Sequence, residues 1–237
     1  MHVEFSEMGL IIFARFPRSG EVKTRLAETI GSDAAIEFYR LCAEHMFEES
    51  GNISSQVDRF VFYSGGNERD EIEEWVGPQF RLDVQTGADL GERMENAFRS
   101  VFSRGVRKAV LVGTDVPDLS ASVIDDAVRS LDSCDIVIGP CHDGGYYLLG
   151  MRELHKGLFA DIPWSTEAVL EKTLDEADLL GLAVHLLPTL ADIDTVQDLR
   201  SWLEADTTHK GNPVRASARY LLVSGTVAPV PDEGEQP

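Results

Sequence analysis

The chain has 237 residues, of which 43% are hydrophobic, so it can bury the core of one large α/β domain or of two small ones. Its formal net charge of -20 argues against a general nucleic-acid binder or a binder of anionic membranes, because both favour basic protein surfaces. The three cysteines form no C-x-x-C pair, which favours a reduced, cytoplasmic setting over a disulfide scaffold. No apolar stretch approaches the roughly 20 residues that cross a bilayer, and the acidic N-terminal segment does not read as a signal peptide.

Strand and helix patterns alternate along most of the chain. Hydrophobic runs predict strands at residues 10–14, 59–63, 81–85, 108–112, 135–139, 146–150 and 183–187. Helical spacing predicts helices from about residue 23, and at 33–49, 70–76, 91–104, from Ser120 or Ser122 to 131, at 167–180 and at 194–204. Because strands alternate with helices, we expect an α/β fold with a mostly parallel central sheet covered on both faces.

The C-terminal part has a different composition. We expect residues 8–204 to form the domain and residues 205–237 to be a partly disordered extension. Within the extension, residues 206–212 resemble a linker, residues 215–223 favour one more helix, and residues 226–237 are rich in Pro, Gly and acids.

The run that ends in G-T-D-x-P at residues 113–117 is the strongest functional signal. Its apolar residues predict a buried parallel strand, and ligands collect at the carboxyl ends of such strands. Asp115 follows that end, while Pro117, which has no N–H, marks where pairing stops. A carboxylate there can bind a hard divalent cation, and the alternative is an Asp that caps a turn or helix.

A basic loop follows the first predicted strand. Its charges are Arg15, Arg18, Lys23 and Arg25 against the single acid Glu21. It precedes a helix, where main-chain N–H groups and the helix dipole favour anions such as phosphates. The loop lacks the glycine spacing of a Walker A motif, and the alternative interpretation is a solvated basic turn.

Two later segments carry further acids. His142 and Asp143 precede a Gly-Gly pair and could bind metal, contact substrate or act as a base, unless they only form the Asp-Gly turn of a hairpin. Asp192 and Asp194 could reach one cation together. The alternative is that Asp194 or Thr195 caps the following helix, since each has a possible capping-box partner, Gln197 or Asp198, three residues later in the chain.

Two weaker candidates flank these segments. Gly91 and Arg93 begin a helix and could touch phosphate or sugar, with capping and a surface ion pair as alternatives. Trp164 could stack on a ring or pack in its loop, and Ser165 could cap the next helix.

Several spaced motifs together resemble a bacterial glycosyltransferase-like family of unknown function that is grouped with the nucleotide-diphospho-sugar transferases. They are F-A-R-x-P-x-x-G-x-V-K-T-R-L, D-L-G-E-R-M, G-T-D-x-P, D-G-G-Y-Y-L-L-G, W-S-T and D-I-D-T, in that order over residues 10–203. The resemblance implies the A-type glycosyltransferase fold, a Rossmann-like three-layer α/β/α domain. The chain is more distantly similar to molybdenum-cofactor guanylyltransferases and phospholactate guanylyltransferase.

The resemblance also implies site residues. In the family the first loop holds the nucleotide phosphates, and the matching residues are Arg15, Gly20, Lys23 and Arg25, to which we add Arg93 and Thr114. Asp115 would bind Mg²⁺ or Mn²⁺, with Asp194 as the first candidate for a second ligand and Asp143 as the next. The catalytic candidates are Asp115, Asp143 and His142. The chain departs from its relatives because the signature L-x-G-G-x-S-x-R-M-G is absent and Pro117 replaces the second acid of D-x-D.

These features predict a divalent-metal-dependent transferase that uses a nucleotide-activated donor, with transfer from a nucleotide-diphospho-sugar as the first expectation. One alternative is nucleotidyl transfer from an NTP to a phosphorylated small molecule, and another is a non-catalytic nucleotide-sugar sensor or partner subunit. The expected partners are the donor and a small-molecule acceptor, without nucleic acid or a transmembrane segment, and a homodimer is compatible with the sequence.

Overall fold

The computed structural model describes residues 5–54, 56–64, 69–205 and 212–226. The strands are β1 (Met8–Arg15), β2 (Val57–Ser64), β3 (Arg81–Val84), β4 (Lys108–Val112), β5 (Ile136–Pro140), β6 (Tyr146–Met151) and β7 (Val184–Leu186). The helices are α1 (Thr24–Ile30), α2 (Ser32–Gly51), α3 (Arg69–Val76), α4 (Leu90–Phe102), α5 (Ala121–Ser130), α6 (Val169–Leu179), α7 (Val196–Glu204) and α8 (Pro213–Thr226). All the predicted strands and helices are present with small shifts of their ends, and a 3-10 turn at Lys156–Phe159 was not predicted.

The strands form one sheet in the order β3-β2-β1-β4-β6-β5-β7. All neighbouring pairs are parallel except those of β6, which runs antiparallel to both β4 and β5. Strand β6 is reversed because a tight turn joins it to β5 as a hairpin, whereas parallel neighbours need a longer crossover. The expected α/β fold with a mostly parallel sheet is confirmed.

Apolar side chains cover both faces of the sheet. Along β1, Leu10 and Ile12 enter one cluster with α2, α3 and α5, while Ile11 enters the cluster that includes α4 and α6. This alternation is the two-residue period of a strand buried on both faces. The result is the expected three-layer arrangement, with the carboxyl ends of β1 and β4 side by side at one edge.

Helix α8 belongs to the packed part of the molecule. Val214 and Ala218 are buried in a third cluster, together with Phe38 of α2 and Trp202 of α7. The additional helix expected at residues 215–223 is therefore present. The expected linker at 206–212 lies outside the described residues except for Asn212, and residues 227–237 of the expected disordered tail lie outside them as well.

Two capping expectations have different outcomes. Of the two residues predicted to begin α5, Ser120 precedes the helix but makes no side-chain cap, and Ser122 lies inside the helix. Asp125, three residues after Ser122, accepts hydrogen bonds from Ser54 instead. Thr195, by contrast, begins α7 with a full capping box to Asp198. The side chain of Asp194 therefore does not cap α7.

Cys42, Cys134 and Cys141 are free and buried. Among the described helices, none combines the length and the apolar character needed to cross a membrane.

Candidate functional site

A cavity of about 930 Å³ opens at the carboxyl ends of the central strands. Loops that follow β1, β3 and β4 and the segment before α7 contribute its walls. Of the residues predicted from sequence, the cavity is lined by Arg15, Gly20, Lys23, Arg25, Arg93, Thr114, Asp115 and Asp194. Asp192 also lines it, so the fold gathers residues from four distant segments at one place.

The ammonium group of Lys23 is at the centre of three carboxylates. Its Nζ lies 2.6 Å from Oδ1 of Asp115 and 2.8 Å from Oδ1 of Asp194, with Oδ1 of Asp192 at 3.8 Å. The side chain of Lys23 is only 2% exposed, whereas those of Asp115 and Asp194 are 44% and 50% exposed. A buried cation therefore fixes carboxylates that face the cavity.

Local backbone geometry begins α1 at Lys23. Lys23 adopts a left-handed conformation, with φ 46° and ψ 42°, and its carbonyl oxygen accepts the first helical hydrogen bond from Ala27. A left-handed conformation costs a non-glycine residue about 1–2 kcal/mol. The ion pairs of the side chain offset this cost, so the strained residue is tied to the site.

The charges shift one another's ionisation. Burial alone would lower the pKa of Lys23, but Asp115, Asp194 and Asp192 outweigh it and hold that pKa above its ordinary value. Burial raises the pKa of Asp192 to about 7, against the opposing charge of Lys23. Burial acts in the same direction on Asp194, but there Lys23 prevails and the pKa is lowered.

The carboxyl end of β4 is fastened to the segment before α7 and to both C-terminal helices. The N–H of Ile193 donates to the carbonyl of Asp115 at 3.2 Å. Buried Asp118 accepts a hydrogen bond from Nε1 of Trp202 at 2.7 Å and one from Asn212 at 3.2 Å. The guanidinium of Arg215 stacks over the Trp202 ring at 4.5 Å and lies 3.6 Å from Asp118. The loop that carries Asp115 is therefore anchored from behind.

Tyr39, which the sequence patterns assigned only to a helix, joins the ends of β1 and β4. Its hydroxyl accepts from the N–H of Arg15 and from Thr114, and it donates to the carbonyl of Arg15, all within 3.2 Å. Burial, followed by the charge of Asp115, raises the pKa of Tyr39 to about 12. The Thr114 hydroxyl is therefore engaged with a neutral phenol.

The arginines of the basic loop face either the cavity or helix α3. Arg15 donates to the carbonyl of Glu21 and lines the cavity, as does the exposed Arg25. Arg18 instead pairs with Glu71 of α3 at 2.5 Å and is not among the residues that line the cavity. Two exposed arginines of the loop thus face the site.

His142 and Asp143 lie in the turn between β5 and β6, exposed to solvent. Oδ1 of Asp143 accepts from the N–H of Gly145 at 2.9 Å, and Gly144 has a φ of +87°. This is the hairpin turn that stood as the alternative interpretation. Neither His142 nor Asp143 is among the described residues that line the cavity.

The other loop residues have mixed outcomes. Trp164 packs against the start of α4, where a Cβ added to Gly91 would lie 2.3 Å from the indole Nε1. Ser165 lines the cavity with a φ of 65° but does not cap α6, whose N-cap is Ala168. Arg93 lines the cavity and donates to the carbonyl of Gly87 at 3.3 Å.

The acids offer oxygen atoms that suit a hard cation. The described residues contain no group of three or more His, Cys, Asp or Glu side chains already arranged to hold a metal. However, Lys23 pairs with only one oxygen each of Asp115 and Asp194, and Oδ1 of Asp192 is buried without a hydrogen-bond partner. Carboxylate oxygens of this kind fit Mg²⁺ or Mn²⁺ when phosphate oxygens complete the coordination shell.

A mostly parallel sheet with a charged cavity at its carboxyl ends defines a Rossmann-like α/β protein. The chain belongs to the family described as "Uncharacterized protein conserved in bacteria (DUF2064)", whose model matches residues 51–166. It is 32% identical to a "putative nucleotide-diphospho-sugar transferase" from Desulfovibrio desulfuricans G20. The two structures superpose with a TM-score of 0.85 over 93% of this chain and 98% of that chain.

More distant structures share the fold. A cytidylyltransferase from Leptospira borgpetersenii is 15% identical with a TM-score of 0.54, over 92% of this chain and 94% of that chain. Rv0371c from Mycobacterium tuberculosis H37Rv, solved as a complex with manganese, is 13% identical with a TM-score of 0.52, over 85% and 100%. No curated protein matches the chain. The family and fold expected from the sequence motifs are confirmed.

Proposed function

We propose that this protein is a divalent-metal-dependent transferase that takes a nucleotide-diphospho-sugar as its donor. The observation that carries the proposal is the meeting of Lys23, Asp115 and Asp194 beside the basic loop, at the strand ends where α/β proteins bind ligands. The likeness to the Desulfovibrio protein, which is described as such a transferase, supports it.

The chain's own residues divide the work. Arg15 and Arg25 supply exposed positive charge for the diphosphate, and Gly20, with a φ of +79°, allows the loop to turn around it. Lys23 holds Asp115 and Asp194 in place and adds positive charge next to the phosphates. Tyr146, Ser165 and Arg93 line the same cavity and are candidates to contact the acceptor.

Asp115 and Asp194 are the residues that would hold the cation, with Asp192 beside them. A bound divalent cation supplies positive charge to a departing diphosphate. The manganese complex of the M. tuberculosis protein, which has the same fold, supports this choice of metal.

Nucleotidyl transfer from an NTP to a phosphorylated small molecule is the second candidate. It is favoured by Pro117, which takes the position of the second acid in a D-x-D motif, so that the distant Asp194 must partner Asp115. The likeness in fold to the Leptospira cytidylyltransferase agrees with it. The products separate the two reactions, because sugar transfer releases a nucleoside diphosphate and nucleotidyl transfer releases pyrophosphate.

The test compares the wild type with Asp115→Asn and with the control Asp126→Asn, an exposed acid of α5 that pairs with Arg129 and does not line the cavity. Calorimetry measures nucleoside diphosphate binding with Mn²⁺ and with EDTA, and product analysis follows a panel of nucleotide-sugars and NTPs. We expect Asp115→Asn to weaken Mn²⁺-dependent binding by about tenfold or more, while the control binds like the wild type. Unchanged binding in Asp115→Asn overturns the metal assignment, and binding without turnover on any acceptor favours a sensor.

A further inference from the structure

Gln85, the residue directly after β3, has a side-chain amide whose orientation is fixed. Its Nε2 donates to the carbonyl of Phe62 at 2.9 Å and to that of Ala14 at 3.4 Å. Because both partners are acceptors, the nitrogen must face them and the amide cannot be flipped. Its Oε1 has no hydrogen-bond donor among the described residues, and Gln85 lines the cavity.

The loop that follows Gln85 is braced against the first turn of α4. Asn96 donates to the carbonyl of Thr86 at 2.8 Å, and the N–H of Ala88 donates to Glu92 at 2.8 Å. Gly87 has a φ of +146°, and a Cβ there would lie 2.7 Å from the main-chain nitrogen of Arg93. The free acceptor therefore sits in a preorganised loop, which lowers the entropic cost of binding.

The surroundings of Gln85 suit a flat ring with a polar edge. Phe13 and Met94 contribute apolar surface to the same cavity, whereas Ser64 is polar. Ligand sites commonly pair an apolar wall with a few fixed polar groups that set orientation. Gln85 is such a group, and it presents an acceptor only.

The sheet order places the main chain of Gln85 three strand spacings, or about 14 Å, from β4, because β2 and β1 lie between β3 and β4. Its amide reaches back over the strand ends as far as Ala14 of β1, the strand beside β4. A ligand anchored by phosphates near Asp115 therefore extends across the strand ends toward Gln85. A nucleotide has this layout, because its phosphates and its flat base are at opposite ends of a sugar.

We propose that Oε1 of Gln85 reads the base of the bound nucleotide and selects bases that carry an exocyclic amine over uracil. The inference rests on the proposed function, since it requires a nucleotide in this cavity. An exocyclic amine donates to Oε1, whereas at the same ring position uracil carries a carbonyl whose lone pairs would face another acceptor. The only donor on the base-pairing edge of uracil is its N3–H, which lies one position further along that edge. Sites built around such a hydrogen bond discriminate strongly against the analogue that cannot form it.

The test measures affinities for the 5′-diphosphates of cytidine, adenosine, guanosine and uridine, and for pyrophosphate, all with Mn²⁺. In the wild type at least one amine-bearing diphosphate should bind about tenfold or more tightly than uridine diphosphate. In Gln85→Met this ratio should fall to near one, with pyrophosphate affinity unchanged. The matched control is Gln79→Met, because Gln79 also donates to a main-chain carbonyl, that of Val76 at 2.9 Å, away from the cavity.

A ligand-side comparison needs no variant. N4,N4-dimethylcytidine, inosine and purine-riboside diphosphates lack the amine hydrogens of cytidine, guanosine and adenosine diphosphates. In the wild type, the analogue that matches the preferred base should bind more weakly than the diphosphate of that base. The factor should be about the same as that for uridine diphosphate. Equal binding of uridine diphosphate, or a preference that survives Gln85→Met, overturns this inference alone. Failure of pyrophosphate and all nucleotides to bind overturns the proposed function itself, and this inference with it.

Discussion

The ammonium group of Lys23 lies 2.6 Å from a carboxylate oxygen of Asp115, although Lys23 begins α1 and Asp115 lies in the loop after β4. The lysine is buried and the aspartate is nearly half exposed. The buried ammonium group therefore holds Asp115 in position, while the second carboxylate oxygen of Asp115 remains available to a ligand in the cavity.

Replacement of Lys23 by Met should destabilise the protein and make it respond to metal. Without the ammonium, Asp115, Asp192 and Asp194 repel one another, and we expect a loss of about 2–3 kcal/mol in EDTA, less than for a fully buried cluster because two of the acids are exposed. Mn²⁺ should restore much of the loss, since it replaces the missing positive charge.

Urea unfolding with and without Mn²⁺ measures this effect. The control is Lys172→Met, which removes an exposed pair with Asp175 and should leave stability unchanged. A loss in Lys23→Met that is the same in EDTA and in Mn²⁺ would mean that the acids do not share a cation.

The raised pKa of Asp192, about 7, predicts a pH dependence of stability. In the unfolded chain this group titrates near 3.9, so between about pH 4 and pH 7 the folded protein holds a proton that the unfolded chain has released. Stability therefore falls as the pH rises through this window. The pKa of Asp194 is lowered, so its contribution to the stability of the folded protein is lost only at more acidic pH.

Asp192→Asn should remove this fall. We expect the wild type to lose on the order of 2 kcal/mol more than the variant between pH 5 and pH 8 in EDTA. The measurement is the free energy of unfolding in urea at several pH values. Parallel pH profiles for the two proteins would show that Asp192 is ionised throughout.

The anchor behind the Asp115 loop should be a major source of stability. Asp118→Ala leaves Nε1 of Trp202 and the guanidinium of Arg215 without their buried partner, so we expect a loss of about 2–4 kcal/mol. Asp126→Ala, which removes the exposed pair with Arg129, should cost less than about 0.5 kcal/mol. Chemical denaturation compares the two variants, and similar small losses would argue against an anchor.

The sequence determined much of the fold but only part of the site. Apolar runs such as residues 108–112 predicted buried strands because such segments are stable only inside a sheet, and the acid that follows lies at the expected strand end. Pairing between Lys23 and Asp194 could not be predicted, because it depends on how distant segments are brought together by the completed sheet.

Other residues were missed for local reasons. Tyr39 fits a helical period, and nothing in that period indicates that its hydroxyl bonds to Arg15 and Thr114. Gln85 follows the third strand directly, and its position at a carboxyl end was the available signal. Ser122 does not begin α5 because it lies inside that helix, and Asp125, three residues later, has a long-range partner in Ser54.

The turn between β5 and β6 should tolerate no side chain at Gly144. Its φ is +87°, and a Cβ would lie 2.1 Å from the carbonyl oxygen of Glu167, so Gly144→Ala should cost about 3 kcal/mol. Gly105 also has a positive φ but open space around it, and Gly105→Ala should cost only about 1–2 kcal/mol. Thermal or urea unfolding of both variants separates the steric effect from the backbone strain, and equal losses would argue against the close approach.

The hydrogen bond from Ile193 to Asp115 joins segments that lie far apart in the chain. Contacts of such long range form late, because the intervening chain must first lose its loop entropy. The cluster of Lys23 and its acids therefore has no precursor in any short fragment, and a nascent or partly folded chain carries no competent site. The architecture thus delays ligand capture until synthesis has passed Asp194.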